Sequence, residues 1–306
     1  MVKYFLYRVS LIPLIILGVV TIVFIILRLS GDPVSLFVGQ DATPAEIEEV
    51  REEMGFNDPM IVQYGKYLGD VIRLDFGNSM RYGVPAFNLL PKRLPATLQL
   101  ASFALFISIF IGILFGTVSA LKQGTVLDAI CSTITLIGQG APVFWIGVML
   151  ILLFSVKLKL LPATGAGGIE HLILPGFTLG IFFAARVARI TRAAILDIIA
   201  QQYIWTARAK GADEKRVFTL HIAKNAAISV ITIIGLSIPS LIGGAVMTEA
   251  IFNWPGIGGF IVTAVFNRDY AIVQAGVVIL AMTVAVTNIV VDFIYCYLDP
   301  RIKLGR

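Results

Sequence analysis

Long uncharged runs limit this chain more than any other feature. Between Arg8 and Arg28 lie 19 residues, Val9 to Leu27, without a charge, and at about 1.5 Å per residue a helix of that length matches the hydrocarbon thickness of a bilayer. Comparable runs follow at Leu94–Leu121, Ala129–Val156, Leu172–Ala185, Asn225–Thr248 and Tyr270–Val291. Read as spans, they make an all-α polytopic membrane protein with six transmembrane helices. The fourth run is short, but Arg186, Arg189 and Arg192 follow it at helical spacing, where they can snorkel while the helix continues. Composition agrees: 58% hydrophobic against 14% charged residues, with a mean hydropathy of +0.89, leaves too little polar surface for a water-soluble domain.

Charge sets the expected orientation. Lys3, Arg8, Lys122, the eight basic residues from Arg186 to Lys224, and Arg301, Lys303 and Arg306 all fall on one side of a six-span topology. By the positive-inside rule that side is cytoplasmic, with both termini on it. The stretch from Gly31 to Arg93 instead holds ten acidic against six basic residues and belongs outside. Nucleic acid is not expected as a partner, because the net charge of +5 is gathered in loops that flank apolar runs.

The expected organisation is an N-terminal anchor helix over residues 1–30, an extracytoplasmic helical segment over 31–93, a core of five spans over 94–298 with a cytoplasmic loop at 186–224, and a tail at 299–306. Within the outer segment, Thr43-Pro44-Ala45-Glu46 has the form of a capping box, with Ile47, Val50 and Met54 on one face before Gly55. Asp58-Pro59 marks a second start, with Val62, Leu68, Val71 and Ile72 as apolar positions. Such a cap either packs on its own spans or offers a docking surface to an external protein.

No catalytic or metal-binding arrangement is found. The chain lacks a phosphate-binding Gly-rich loop, His-Glu-x-x-His and Cys-x-x-Cys, and its two histidines, His171 and His221, fall on opposite expected sides of the membrane. Asp292 is the acid within span six, where pairing with a basic residue or interfacial water is expected rather than proton relay. Cys131 and Cys296 lie inside apolar runs as packing residues. Gly112-x-x-x-Gly116 and Gly176-x-x-x-Gly180 have the small-residue spacing of close helix packing.

Two loops carry the functional signal. After span four, Tyr203, Thr206, Ala207, Arg208, Ala209, Lys210 and Gly211 read as a short helix ending at a glycine turn, with Asp213-Glu214-Lys215-Arg216 opening the next helix. Its small residues would let a partner's groove approach the backbone, with Arg208 and Lys210 at the rim; a basic helix lying on the membrane surface would have the same composition. After span five, Glu249, Asn253, Trp254, Pro255, Gly256 and Gly258 form an enforced turn that either lies over the outer mouth of a pathway as part of a gate or is an ordinary connection between spans.

Several motifs together resemble the integral membrane permease subunits of ATP-binding cassette importers, in the dipeptide, oligopeptide and nickel branch. Tyr203 to Gly211 matches the Tyr-x-x-Thr-Ala-Arg-Ala-Lys-Gly form of that family's cytoplasmic signature. Gly31-Asp32-Pro33, Leu94-Pro95-Ala96-Thr97-Leu98, Phe252-Asn253-Trp254-Pro255-Gly256-Ile257-Gly258 and Leu298-Asp299-Pro300-Arg301 extend the likeness over nearly the whole chain. Trp205 takes the place of the general signature's glutamate, and Ser229 stands where the branch usually has proline.

The resemblance implies a non-enzymatic subunit that pairs with a second, homologous permease in a bacterial or archaeal cell membrane. It implies two cytoplasmic ATP-binding subunits, which hold ATP and Mg, and an extracytoplasmic substrate-binding protein. The chain itself then needs no cofactor. A secondary transporter or channel is the alternative, and would be expected to show internal repeats or mid-membrane ionisable groups, which are not found here. The cargo is not written in these residues, since peptides, nickel chelates, glutathione, opines and oligosaccharides travel through similar subunits.

Overall fold

The computed structural model describes residues 2–29, 43–53 and 57–298. The Gly31-Asp32-Pro33 motif, Met54 and Gly55, and the tail at 299–306 lie outside the described residues, as do the side chains of Glu46, Ile47, Val50 and Cys296. The first helix, α1 (Val2–Leu29), is followed by the outer segment's α2 (Pro44–Glu53), α3 (Met60–Ile72) and α4 (Ala86–Leu89). The core comprises α5 (Leu94–Leu121), α6 (Val126–Gly140), α7 (Val143–Lys157), α8 (Glu170–Ile199), α9 (Gln202–Ala209), α10 (Glu214–Phe252), α11 (Ile257–Phe266) and α12 (Tyr270–Leu298).

The third apolar run is not one straight helix. Pro142 has no N–H to donate and drives Ala141 to an extended ψ of 138°, so α6 and α7 meet at a bend of 110°. The pair nevertheless makes one passage. Asp128, near the start of α6, pairs with Arg192 near the end of α8, whereas Gly165 beyond α7 donates its N–H to Phe252 O at the far end of α10. Counted this way, the described helices include six passages. The fourth run extends through its arginines into a helix of 30 residues.

The glycine pairs explain the tightest contact. Helices α5 and α8 run parallel, with Gly112 facing Val187 and Ala184, Gly116 facing Ala188 and Thr191, and Gly180 facing Ala104 and Ile107. A Cβ at Gly112 would come within 2.6 Å of Val187 Cβ, and one at Gly180 within 2.8 Å of Ala104 O. Only hydrogen at these positions lets the backbones close. Since lipid tails are as apolar as leucine, this packing, rather than water exclusion, holds the two helices together.

At the end expected to face the cytoplasm, the turn between α5 and α6 is tied to α8 by a polar network. Asp128 accepts from Ser119 Oγ, from the Gly124 N–H at 3.0 Å and from Arg192 Nη2 at 3.1 Å. Taking span three to begin at Ala129 overlooked this carboxylate. Asp292 of α12 pairs with Arg8 of α1 at 3.2 Å, as expected for an acid near a span's end. That contact puts the described start of α1 and the end of α12 at the same end of the bundle.

The outer segment packs on its own spans. Val71, Phe76, Ala86 and Leu90 share a core with Val20 of α1, Ile257 and Phe260 of α11 and Ile272 of α12. Tyr64 shares a 2.6 Å hydrogen bond with Thr21, and Tyr67 stacks on Phe24 at 5.6 Å. Burial, with Tyr64 alongside, pushes the Tyr67 phenol up to about 12. Two of the expected apolar positions, Val62 and Ile72, are instead exposed, Ile72 at 83%. The first start falls where the capping signal put it, since α2 begins at Pro44.

Candidate functional site

The two loops singled out by sequence occupy opposite ends of the bundle, and each is built into it differently. At the end expected to face outward, α10 stops at Asn253, whose φ of 48° is the left-handed conformation that closes a helix. Trp254 then turns inward, only 4% exposed, and donates Nε1–H to Ala96 O at 2.8 Å. The Ile257 N–H is received by Thr97 Oγ1 at 2.9 Å. Two short motifs that are 158 or more residues apart thus form one joint.

Glu249 sits behind this joint with 0% exposure. Its carboxylate accepts the Gly259 N–H at 2.9 Å and fills the space that a Cβ on Gly256 would need. Gly258 lies against Val246, with a would-be Cβ only 2.5 Å from Val246 Cα. The loop therefore folds back as the short helix α11 against the last turns of α10. It is an inserted, tightly packed element rather than a turn lying on the surface.

At the opposite end the expected helix, glycine turn and helix are all present. α9 spans Gln202–Ala209, Gly211 takes φ +80°, and Asp213 stands at the N-cap of α10. The Asp213 side chain makes no capping hydrogen bond, however. From Val217 to Ala223 α10 is wound as a π-helix before continuing without a break to Phe252. Ser229 falls in this continuous helix, exposed on its surface, so no kink forms where the branch usually has proline.

The faces of α9 revise the assignment of roles. Ile204 is fully buried with Ile195, Val217 and Ile222, and Ala207 packs against that same cluster. Ala207 thus packs, partly buried, against its own chain. Gln202, Trp205, Thr206 and Ala209 fall on the opposite, exposed stripe, with Trp205 64% exposed. Tyr203 is partly exposed and its hydroxyl accepts from Asn225 Nδ2 at 3.1 Å. Arg208 is held by Glu214, at 2.8 Å from Nε and 3.2 Å from Nη2, and Lys210 is exposed.

Nothing crowds the Gly211 Cβ position, so its glycine is required by conformation and not by close approach. Gln202, which sequence reasoning passed over, belongs to the exposed stripe; its spacing of three, four and seven from Trp205, Thr206 and Ala209 was the signal available. His171 and His221 lie near opposite ends of the bundle, in α8 and in the π-helical turn of α10. Among the described residues no group of three or more His, Cys, Asp or Glu side chains could hold a metal ion.

A bundle of apolar passages, with a short packed helix folded back at one end and a short helix exposed at the other, defines a multi-pass membrane protein. Comparison with known proteins makes this specific. The chain belongs to the family described as binding-protein-dependent transport system inner membrane component, whose profile matches residues 112–304, while residues 1–101 match that family's N-terminal profile. It is a permease subunit of an ATP-binding cassette importer, not an enzyme.

Among relatives, the oligopeptide transport system permease protein AppB of Bacillus subtilis is 41% identical, over 94% of this chain and 95% of its own length. The probable peptide ABC transporter permease protein y4tP of Sinorhizobium fredii is 39% identical over 92% and 93%. The glutathione transport system permease protein GsiC of Escherichia coli is 36% identical over 96% of both chains. Among solved structures, a subunit of the MetNI methionine transporter superposes with a TM-score of 0.58 at 20% identity, covering 69% of this chain and 96% of that one. That likeness extends to the fold alone.

Proposed function

We propose that this chain forms half of the translocation pathway of a peptide importer and converts ATP-driven closure of partner subunits into alternating access. The observation that carries this reading is the exposed stripe of α9, Gln202, Trp205, Thr206 and Ala209, mounted on a helix whose other face is anchored by Ile204 and Ala207. A helix held rigidly on one side and bare on the other transmits force; a helix lying on lipid needs no such anchor. The small side chains of Thr206 and Ala209 let a groove come close, and Lys210 supplies charge at the rim.

The partners in this reading are a second, homologous permease, two cytoplasmic ATP-binding subunits carrying ATP and Mg, and an extracytoplasmic binding protein. Both termini and α9 face the cytoplasm of a bacterial or archaeal cell, the orientation favoured by the basic residues around α8 and α9. The joint of Glu249, Asn253, Trp254, Pro255, Gly256 and Gly258 closes the outer mouth as part of the gate. Peptides are the cargo, a choice supported by relatives named for oligopeptide and peptide transport.

Reconstitution of this chain with its partner subunits and binding protein in proteoliposomes should give ATP-dependent uptake of di- or oligopeptides. Uptake of a sugar or a nickel chelate in place of peptides would overturn the cargo assignment. ATP-independent uptake would overturn the mechanism. A reporter active only outside the membrane should work at Asn57 and fail at Asp213.

A further inference from the structure

A cavity of about 220 Å³, walled in larger part by apolar surface from Phe115, Leu136 and their neighbours, opens between α5, α6 and α8 where Asp128 meets Arg192. Gly116, Ala185 and Ala188 leave the space, and Ser132, Thr135, Gln139, Arg189 and Arg192 line it. Arg192 lies near the end of α8, where the guanidinium groups can meet water that enters the cavity.

The charges in and around the cavity do not cancel. Asp128 and Ser119 engage Nε and Nη2 of Arg192, which leaves Nη1 with its two hydrogens unused among the described residues. Arg189, one helical turn away on α8, has no ion-pair partner among the described residues. The α5 contribution is Ser119 and the α6 contribution is Asp128, Ser132, Thr135 and Gln139, so two guanidinium groups face a single carboxylate. One positive charge is in surplus. Arg192 is fixed by its bonds to Asp128 and Ser119, so its free donors are preset for a planar oxyanion.

We infer that this cavity receives the free carboxylate of the transported cargo, with Arg189 and the free edge of Arg192 as its donors. The inference rests on the peptide reading for the identity of the cargo, and on the cavity alone for the oxyanion. Peptides of any sequence carry one terminal carboxylate, so such a site would hold them without reading their side chains. Its position also links it to the drive helix: Ile195, one turn beyond Arg192, packs in the same cluster as Ile204 of α9.

The test places a reporter thiol in the cavity of the complete transporter in vesicles. Cys131 and Cys296 are changed to Ala, and either Thr135→Cys or Gln139→Cys is introduced. Reaction rates are measured with sulfonate-bearing and trimethylammonium-bearing methanethiosulfonates, normalised to a free thiol. The anionic reagent should react about 10-fold faster, the size of effect expected from one focused surplus charge. Dialanine should slow it while dialanine amide does not, and Arg189→Gln should remove the preference while Arg189→Lys keeps it.

Equal rates for the two reagents, or no reaction at either reporter, would overturn the site. So would a preference seen only in vesicles containing phosphatidylglycerol and absent in phosphatidylcholine alone, which would assign the cavity to lipid headgroups. A preference and dialanine protection that persist in a transporter importing no peptide would keep the carboxylate site and remove only the peptide reading.

Discussion

Glu249 and Gly259 stand on two helices that fold back on each other, and the Gly259 N–H meets the Glu249 carboxylate at 2.9 Å across the joint. The carboxylate fills the space beside Gly256, and Trp254 and Ile257 tie the same joint to the first turn of α5. If the joint serves as the proposed gate, α11, the end of α10 and the start of α5 should move as one packed unit and not as a loose flap.

Changes at this joint should act on transport more than on insertion. Trp254→Phe removes one buried hydrogen bond, at a cost of about 1 kcal/mol, and leaves most of the packing in place. Gly256→Ala forces a methyl against the Glu249 side chain and is expected to be the more severe. Uptake assays at matched membrane abundance should rank the unmodified protein above Trp254→Phe and Trp254→Phe above Gly256→Ala. The reverse order would mean that the joint is held by the indole rather than by the carboxylate cradle.

The two faces of α9 predict two different defects. Trp205→Ala and Ala209→Trp alter the exposed stripe and should leave the loop as resistant to protease as before, while weakening association with the ATP-binding subunits. Ala207→Trp pushes against Ile204 and its neighbours, at about 1–3 kcal/mol for overpacking, and should expose the loop to cleavage. If Ala207→Trp leaves the cleavage pattern unchanged and Trp205→Ala loosens it, the assignment of the faces is inverted.

Arg208→Glu should behave as a local change. Its partner Glu214 is well exposed, so loss of the pair costs at most about 1 kcal/mol. Charge reversal places two acids together, and Arg208→Glu combined with Glu214→Arg should restore ATPase coupling. Failure of the double variant to recover would mean that Arg208 also meets acids on a partner.

Gly112→Leu and Gly180→Leu should lower the thermal stability of the detergent-solubilised protein, because each places side-chain atoms where α5 and α8 touch. Gly65→Leu and Gly69→Leu in α3, where nothing lies near the Cβ position, serve as controls and should shift the unfolding temperature far less. Equal shifts in both groups would deny the glycine-mediated contact.

Tyr67 should remain protonated at a pH where a tyrosine free in water ionises. Its folded value of about 12 lies above the ordinary 10, so the stability it contributes is complete below pH 10 and is lost as pH rises through 12. Phenolate absorbance of the unmodified protein minus that of Tyr67→Phe should show this late titration. A difference spectrum centred near pH 10 would place Tyr67 in water.

The apolar spans, the helix start at Pro44 and the glycine turn after α9 were legible in the sequence because each rests on local chemistry. A bilayer demands uncharged length, Gly211 provides the positive φ of the turn, and Pro44 marks a helix start. The small-residue pairs at Gly112 and Gly176 announced close packing for the same reason. What the sequence could not settle is which face of each element looks inward. Ala207 and Ala209 are chemically identical, and only the positions of Ile195 and Ile222 bury one and leave the other bare. The joining of Trp254 to Ala96, the seating of Gly258 against Val246 and the surplus charge beside Arg189 depend on residues brought together from distant parts of the chain. Local sequence encodes periodicity and turn geometry, whereas such contacts arise only once several helices compete for the same interior space.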